Sequence, residues 1–214
     1  MEHVIAYEGL VSVSLGLVQK EYGSLYVPVA NRRTGIEGTM QRAPYSFDDF
    51  EAFLKHLQES KGKQESFALL RFEERSGTRE YSYIGHTSIG EIKWPHAVGT
   101  TGTVMSDVGS QGKGHGTEAK LLLQYHAFRI LGLRNLCSKV KSWNGRSLGH
   151  LLKCGYRIVG QYEKTVFDDG KYVDEVLLQC GRDAWEQVWE VYQQTRTLPT
   201  LNDEQRAQIK HITQ

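Results

Sequence analysis

Residues 109–132, GSQGKGHGTEAKLLLQYHAFRILG, place four glycines in eight positions and run directly into an apolar helical pattern. Glycine inside a regular element costs about 0.5–1 kcal/mol relative to alanine, so a helix start this rich in glycine implies a backbone that must stay bare. The demand that fits is an anion whose oxygens rest on the unpaired N–H groups at the helix mouth. Apolar residues at Leu121, Leu122, Tyr125, Phe128, Ile130 and Leu131 predict a mostly buried helix. Gly132 stands where a left-handed cap would end it.

Other elements are placed around this helix by pattern. LVSVSLGLV (10–18) alternates as a strand, and a weaker helical stretch follows from Lys20. An Arg-, Thr- and Gly-rich loop then runs from Asn31 to Gly38. PYSFDDFEAFLKHLQES reads as a helix with Ser46 as N-cap and Asp48 and Asp49 in its first turn. ESFALLRFEE, REYSYIGHTSIGEIKW and TTGTVMSD read as strands. RNLCSKVKSW returns to strand, and NGRSLGHLLKCG reads as a short helix capped by Asn144 and ended by Gly155. Asp169-Gly170 is a two-residue hairpin turn between β-rich flanks. DAWEQVWEVYQQ is the last clear helix. This order predicts a mixed α/β class: one domain over 1–195 with helices covering a largely antiparallel sheet, then a polar tail or short helix over 196–214.

Composition narrows the function classes. The 214 residues are 39% hydrophobic and 24% charged with a formal net charge of +1, which is ordinary for a soluble domain and gives no reason to expect a nucleic-acid or membrane partner. The first residues show neither a basic region nor a cleavage signature, so a cytoplasmic location is the default expectation. Cys137, Cys154 and Cys180 lack metal-site spacing and read as reduced, buried thiols; no metal is expected.

Two phosphate-binding templates fail. No Gly-Lys-Ser/Thr triplet exists for a P-loop, and GxGxG in mid-chain is not the GxGxxG that follows the first strand of a dinucleotide fold. Gln111-Gly112-Lys113-Gly114-His115-Gly116 instead resembles the Q/R-x-x-G-x-G/A motif of the GCN5-related N-acetyltransferases. The G-T-E-A helix start, the L-G-L helix end, the N-x-x-S turn at Asn144–Ser147, L-x-K-x-G-Y and the D-G-x-x-x-D hairpin resemble the RimJ/RimL-type branch of that superfamily. The likeness covers roughly 66–190.

The resemblance implies that family's fold, a mostly antiparallel sheet flanked by helices and splayed at its middle strands. It also implies acetyl transfer from acetyl-CoA, as cosubstrate, to a primary amine by direct attack in a ternary complex. Gln111, Gly112, Lys113, Gly114, His115, Gly116 and Thr117 would hold the pyrophosphate, with backbone groups near Met105 and Asp107 along the pantetheine arm and Asn144 as a further CoA contact. The oxyanion donor would lie around Val104 to Ser106. Many relatives carry a tyrosine acid where this chain has Leu151, so Ser147 becomes the candidate acid. Glu91 is the candidate base through water. His115 and His150 read more simply as a loop and a surface histidine. The acceptor is a peptide N-terminus or a small-molecule amine, with Arg32 and Arg33 suited to an acidic one. A longer acyl donor, a homodimer, and a catalytically weak acyl-CoA sensor or scaffold of the same fold are the open alternatives.

Overall fold

A computed structural model of the chain describes residues 2–32 and 43–213. Eight strands form one sheet in the order β1-β2-β3-β4-β5-β6-β8-β7. They are β1 (Ile5–Tyr7), β2 (Val13–Leu17), β3 (Glu65–Arg75), β4 (Thr78–Lys93), β5 (Val98–Met105), β6 (Asn135–Lys141), β7 (Arg157–Asp168) and β8 (Lys171–Gly181). The helices are α1 (Gly23–Ala30), α2 (Phe47–Glu59), α3 (His115–Tyr125), α4 (Gly145–Lys153), α5 (Arg182–Thr195) and α6 (Asp203–Thr213). The strand expected over 10–18 is β2, and a short β1 that the pattern did not place precedes it, paired antiparallel after the chain folds back at 8–12.

Local chemistry explains most boundaries. Ser46 caps α2 with its hydroxyl on Asp49 N, and the Asp49 carboxylate returns to Ser46 N, a reciprocal capping box. Asp169 and Gly170 both take positive φ, 45° and 81°, as a tight hairpin turn requires. α3 passes into a π-helical turn over His126–Ile130 before Gly132, at φ 70°, ends it.

The core lies on both faces of the sheet. On one face α3 and α5 cover Leu15, Leu69, Ile84, Leu136 and Val176, with Trp185 and Tyr192 fully buried. On the other, α1 and α2 cover Ala68, Leu70 and Tyr83 with Tyr22, Tyr26 and Phe50. Fully burying each large apolar side chain contributes about 1.5–3 kcal/mol, so the two faces together fix the sheet against its helices.

The feature that positions the site is a fork. Neighbouring strands pair antiparallel except β5 and β6, which run parallel and pair only at Val98↔Asn135, Gly99↔Leu136 and Thr100↔Cys137. Beyond Thr100 the two strands diverge. Side chains close the crotch: Ser138 Oγ donates to Thr101 O at 3.2 Å, and Thr101 Oγ1 meets Tyr156 OH at 2.9 Å.

Candidate active site

The fork opens into a cleft of about 690 Å³. β5 supplies Thr103, Val104 and Met105, the glycine loop supplies Gly112, Gly114 and Gly116, and α4 supplies Asn144, Ser147, His150 and Lys153. Tyr26, Val29 and Ala30 of α1 line its other end. A strand edge without a ladder partner offers peptide N–H and C=O groups to a linear ligand, as in strand addition.

At the loop, Gly114 is the N-cap of α3 and takes φ 88°, a left-handed conformation natural only to glycine. Its carbonyl accepts from Thr117 N and Glu118 N at 2.9 and 3.1 Å. Helix geometry leaves the amides just before these without a carbonyl partner, at the positive end of the helix dipole. A Cβ at Gly112 or Gly116 would meet no protein atom within 4 Å. These glycines keep open space rather than fill it.

The carboxylate nearest this helix mouth in sequence is spent elsewhere. Glu118, fully buried, accepts from the amides of Leu10, Val11, Ser12 and Val13 at 2.7–2.9 Å, from Ser12 Oγ at 3.0 Å and from Tyr192 OH at 2.6 Å. It locks the β1–β2 connection to α3 and α5. The cleft walls are instead cationic. Arg146 and Lys153 line it from α4 beside a neutral His150, and Lys120 lies buried in α3. Burial pulls Lys120 down to about 8, and burial with the Lys120 and Lys153 charges pulls His150 down to about 3. No Asp or Glu lines the cleft among the described residues.

The structure brings Met105, Gln111, Gly112, Gly114, Gly116, Thr117, Asn144 and Ser147 into this one cleft. Gln111 Oε1 accepts from the Arg146 guanidinium, a bridge between loop and α4. Asn144 Oδ1 caps α4 by accepting from Ser147 N at 3.0 Å, so both residues serve the helix as well as facing the cleft. Leu151, at the family's tyrosine position, is buried in the core.

Other expected residues lie elsewhere. Lys113 is exposed and His115 is buried away from the cleft, with its Nδ1 3.0 Å from Ser12 Oγ. Asp107 organises the turn before the loop: Oδ1 accepts from Gly109 N at 2.9 Å, Oδ2 accepts from Ser110 Oγ, and its own amide donates to Ile84 O. The Ser110 bond foremost, with the Gly109 one, holds its carboxyl below the usual range. Arg32 is exposed just after α1, whereas Arg33 lies outside the described residues.

Glu91 is the clearest departure. The cleft end of β4 is Gly85, opposite Met105, whereas Glu91 sits past Gly90↔Thr100 in a register slip, with φ 50°. At the usual strand rise, six residues separate it from Gly85 by about 20 Å. Its carboxylate accepts from Thr100 Oγ1 and lines a different cavity with His56, Lys63 and Trp94. The strand pattern identified β4 correctly but carried no register.

Beside the β5 edge the structure buries a group that the pattern did not flag. β4 bulges at Ile84, whose carbonyl accepts from Ser106 N at 2.7 Å, and Gly85 presses so close that a Cβ would lie 2.1 Å from Val104 O. The next residue, His86, faces Val104 and packs among Tyr26 and Phe53. Its Nδ1 has no hydrogen-bond partner among the described residues, and burial pulls the ring down to about 4. His150 was legible by spacing, since it stands one turn from Ser147 on α4; the structure makes it cleft wall rather than plain surface.

Residues 21–157 match the model of the acetyltransferase (GNAT) domain. The chain belongs to the GNAT acetyltransferase family. Solved structures carry the same fold. The GNAT chain is similar to spermidine N-acetyltransferase from Vibrio cholerae in complex with CoA and spermine, with TM-score 0.70 and 19% identity over 81% of this chain and 98% of that one. It is also similar to Mycobacterium smegmatis RimJ in complex with CoA-disulfide, with TM-score 0.72 and 15% identity over 93% and 96%. No curated protein sequence matches the chain. No helix of this GNAT protein, among the described residues, is long and apolar enough to cross a membrane.

Proposed function

We propose that the protein moves an acetyl group from acetyl-CoA to the α-amine of a peptide, or to a small amine of similar basicity. The observation that carries this reading is the strand fork that leads to bare helix-start amides between cationic walls. Pantetheine would lie along the free edge of β5, Asn144 would offer its amide NH2 since its Oδ1 is already used, and the pyrophosphate would sit at Gly112–Gly116. The amine nitrogen attacks the thioester carbonyl carbon, the oxyanion takes a backbone N–H near Val104 or Met105, the C–S bond breaks to release the CoA thiolate, and the proton shed by the nitrogen passes to solvent water. Ser147 faces the cleft at α4's first turn, as a proton donor to the departing sulfur must.

The acceptor class follows from what the cleft offers. A lysine-type amine is neutral to only about 0.04% at pH 7, while an α-amine is neutral to roughly 10–15%. With Glu91 remote and no acid in the cleft lining, a strongly basic amine would need roughly 3–4 kcal/mol of help that the described residues do not supply.

The test is thiol release from acetyl-CoA across peptides with free N-termini, polyamines and aminoglycosides. Saturable turnover, strongest with an α-amine peptide, is expected. Tight CoA binding with no turnover on any acceptor would establish the scaffold reading instead.

A further inference from the structure

The segment after α5 lies outside the matched family region, yet it reaches the cleft. Arg196 turns the chain with φ 53°, and Leu198 then lies against the glycine loop, its Cδ1 only 2.4 Å from where a Cβ on Gly114 would stand. Three residues on, Leu201 lines the cleft. Asn202 and Gln205 cap α6 reciprocally: Gln205 N donates to Asn202 Oδ1 at 2.8 Å, and Asn202 N donates to Gln205 Oε1 at 3.1 Å.

α6 then docks on α4. Gly145 and Gly149, one turn apart, present a bare strip to it. A Cβ at Gly145 would be 3.3 Å from Ile209 and Thr213, and one at Gly149 would be 3.6 Å from Ile209 and Leu201. Gln205 Nε2 donates to Leu152 O at 3.1 Å, which pins the helix. Leu198, Leu201, Ile209 and Ile212 all pack on the main core. The segment is therefore a fixed wall, joined at one end to the glycine loop and at the other to α4.

We propose that this wall completes the donor site: Leu201, backed by Leu198, supplies the apolar surface for the adenosine end of CoA. The inference rests on the donor reading above. If the pantetheine arm follows β5 and the pyrophosphate sits at Gly112–Gly116, the nucleoside must leave the loop on the side of Gly149 and Lys153, where Leu201 is the aliphatic side chain. Lys153 and Arg146 flank that position and suit the 3′-phosphate. Leu201 is thus a donor-contacting residue that distinguishes a nucleotide-bearing thiol from its short arm alone.

The experiment measures calorimetric Kd for CoA and for pantetheine, which lacks the nucleotide, on the full-length wild type, Leu201→Ser, the milder Leu201→Ala, and Ile209→Ala. Ile209 touches α4 but does not line the cleft, so it reports on docking of α6 alone. The expected result is a Kd for CoA raised roughly five- to twentyfold in Leu201→Ser and less in Leu201→Ala, with pantetheine affinity unchanged. Equal losses for both ligands, or CoA binding that matches wild type, would overturn the inference alone. Should Leu201→Ser melt far below wild type, the same comparison is read on Leu201→Ala. A wild type that binds no CoA removes the donor reading and this inference with it.

Discussion

Gly116 separates what the fold needs from what a ligand needs. It lies in the first turn of α3, its φ is not left-handed, and an added Cβ would meet no protein atom within 4 Å. Valine is slightly better than glycine inside a helix, by about 0.4 kcal/mol, so Gly116→Val should leave Tm within about 2 °C of wild type. Its two methyls would, however, project into the cleft where a phosphate must come against the amides. Loss of one charge-assisted hydrogen bond costs about 1.5–3 kcal/mol, which is roughly ten- to a hundredfold in Kd for CoA. Gly116→Ala adds a single methyl to open space. It should raise stability by about 0.5–1 kcal/mol with a smaller effect on binding. Calorimetry and thermal melts on the two variants read both axes. A Gly116→Val protein that melts like wild type and binds CoA with undiminished affinity would refute the phosphate site.

Other outcomes follow from buried polar groups. In Glu118→Gln one acceptor oxygen becomes a donor facing amides that need an acceptor, at a cost of about 3–5 kcal/mol. The variant should melt roughly 6–20 °C lower, and a melt within 3 °C would contradict the role of that carboxylate. His86 and His150, pulled to about 4 and about 3, stay neutral in the fold while their unfolded forms take a proton near pH 6.5. Their stability contribution is complete above pH 6.5 and falls progressively below it, by about 2 kcal/mol each at pH 5. Denaturant midpoints against pH should show that decline, and His150→Gln should flatten roughly half of it. Burial pushes Cys180 up to about 12 and raises Cys137 and Cys154 as well. A thiol reagent should therefore find the folded chain nearly inert at pH 8 and react with all three cysteines, which are free, only in denaturant.

What the sequence made legible is what short-range chemistry determines. Ser46, Asn144, Gly132 and the Asp169-Gly170 turn are local devices, and each sits where its neighbours demand. The glycine loop was readable for the same reason. Glu91 was not, because the periodicity of β4 identifies a strand without saying which end of it meets Met105; the pairing that decides this is with β5. Glu118 reads as an ordinary first-turn acid until the 8–12 connection folds back over it. The 196–214 tail looks weakly periodic because it packs on the glycine strip of α4, far away in sequence.

The most direct test of the central claim is an amide-resolved NMR titration of the wild type with CoA. Saturable shifts are expected at Gly112, Gly114, Gly116 and Thr117 and along Thr103–Met105, with residues around Glu91 and Trp94 unmoved. Shifts confined to the Trp94 cavity, or none at the glycine loop at saturating CoA, would contradict it.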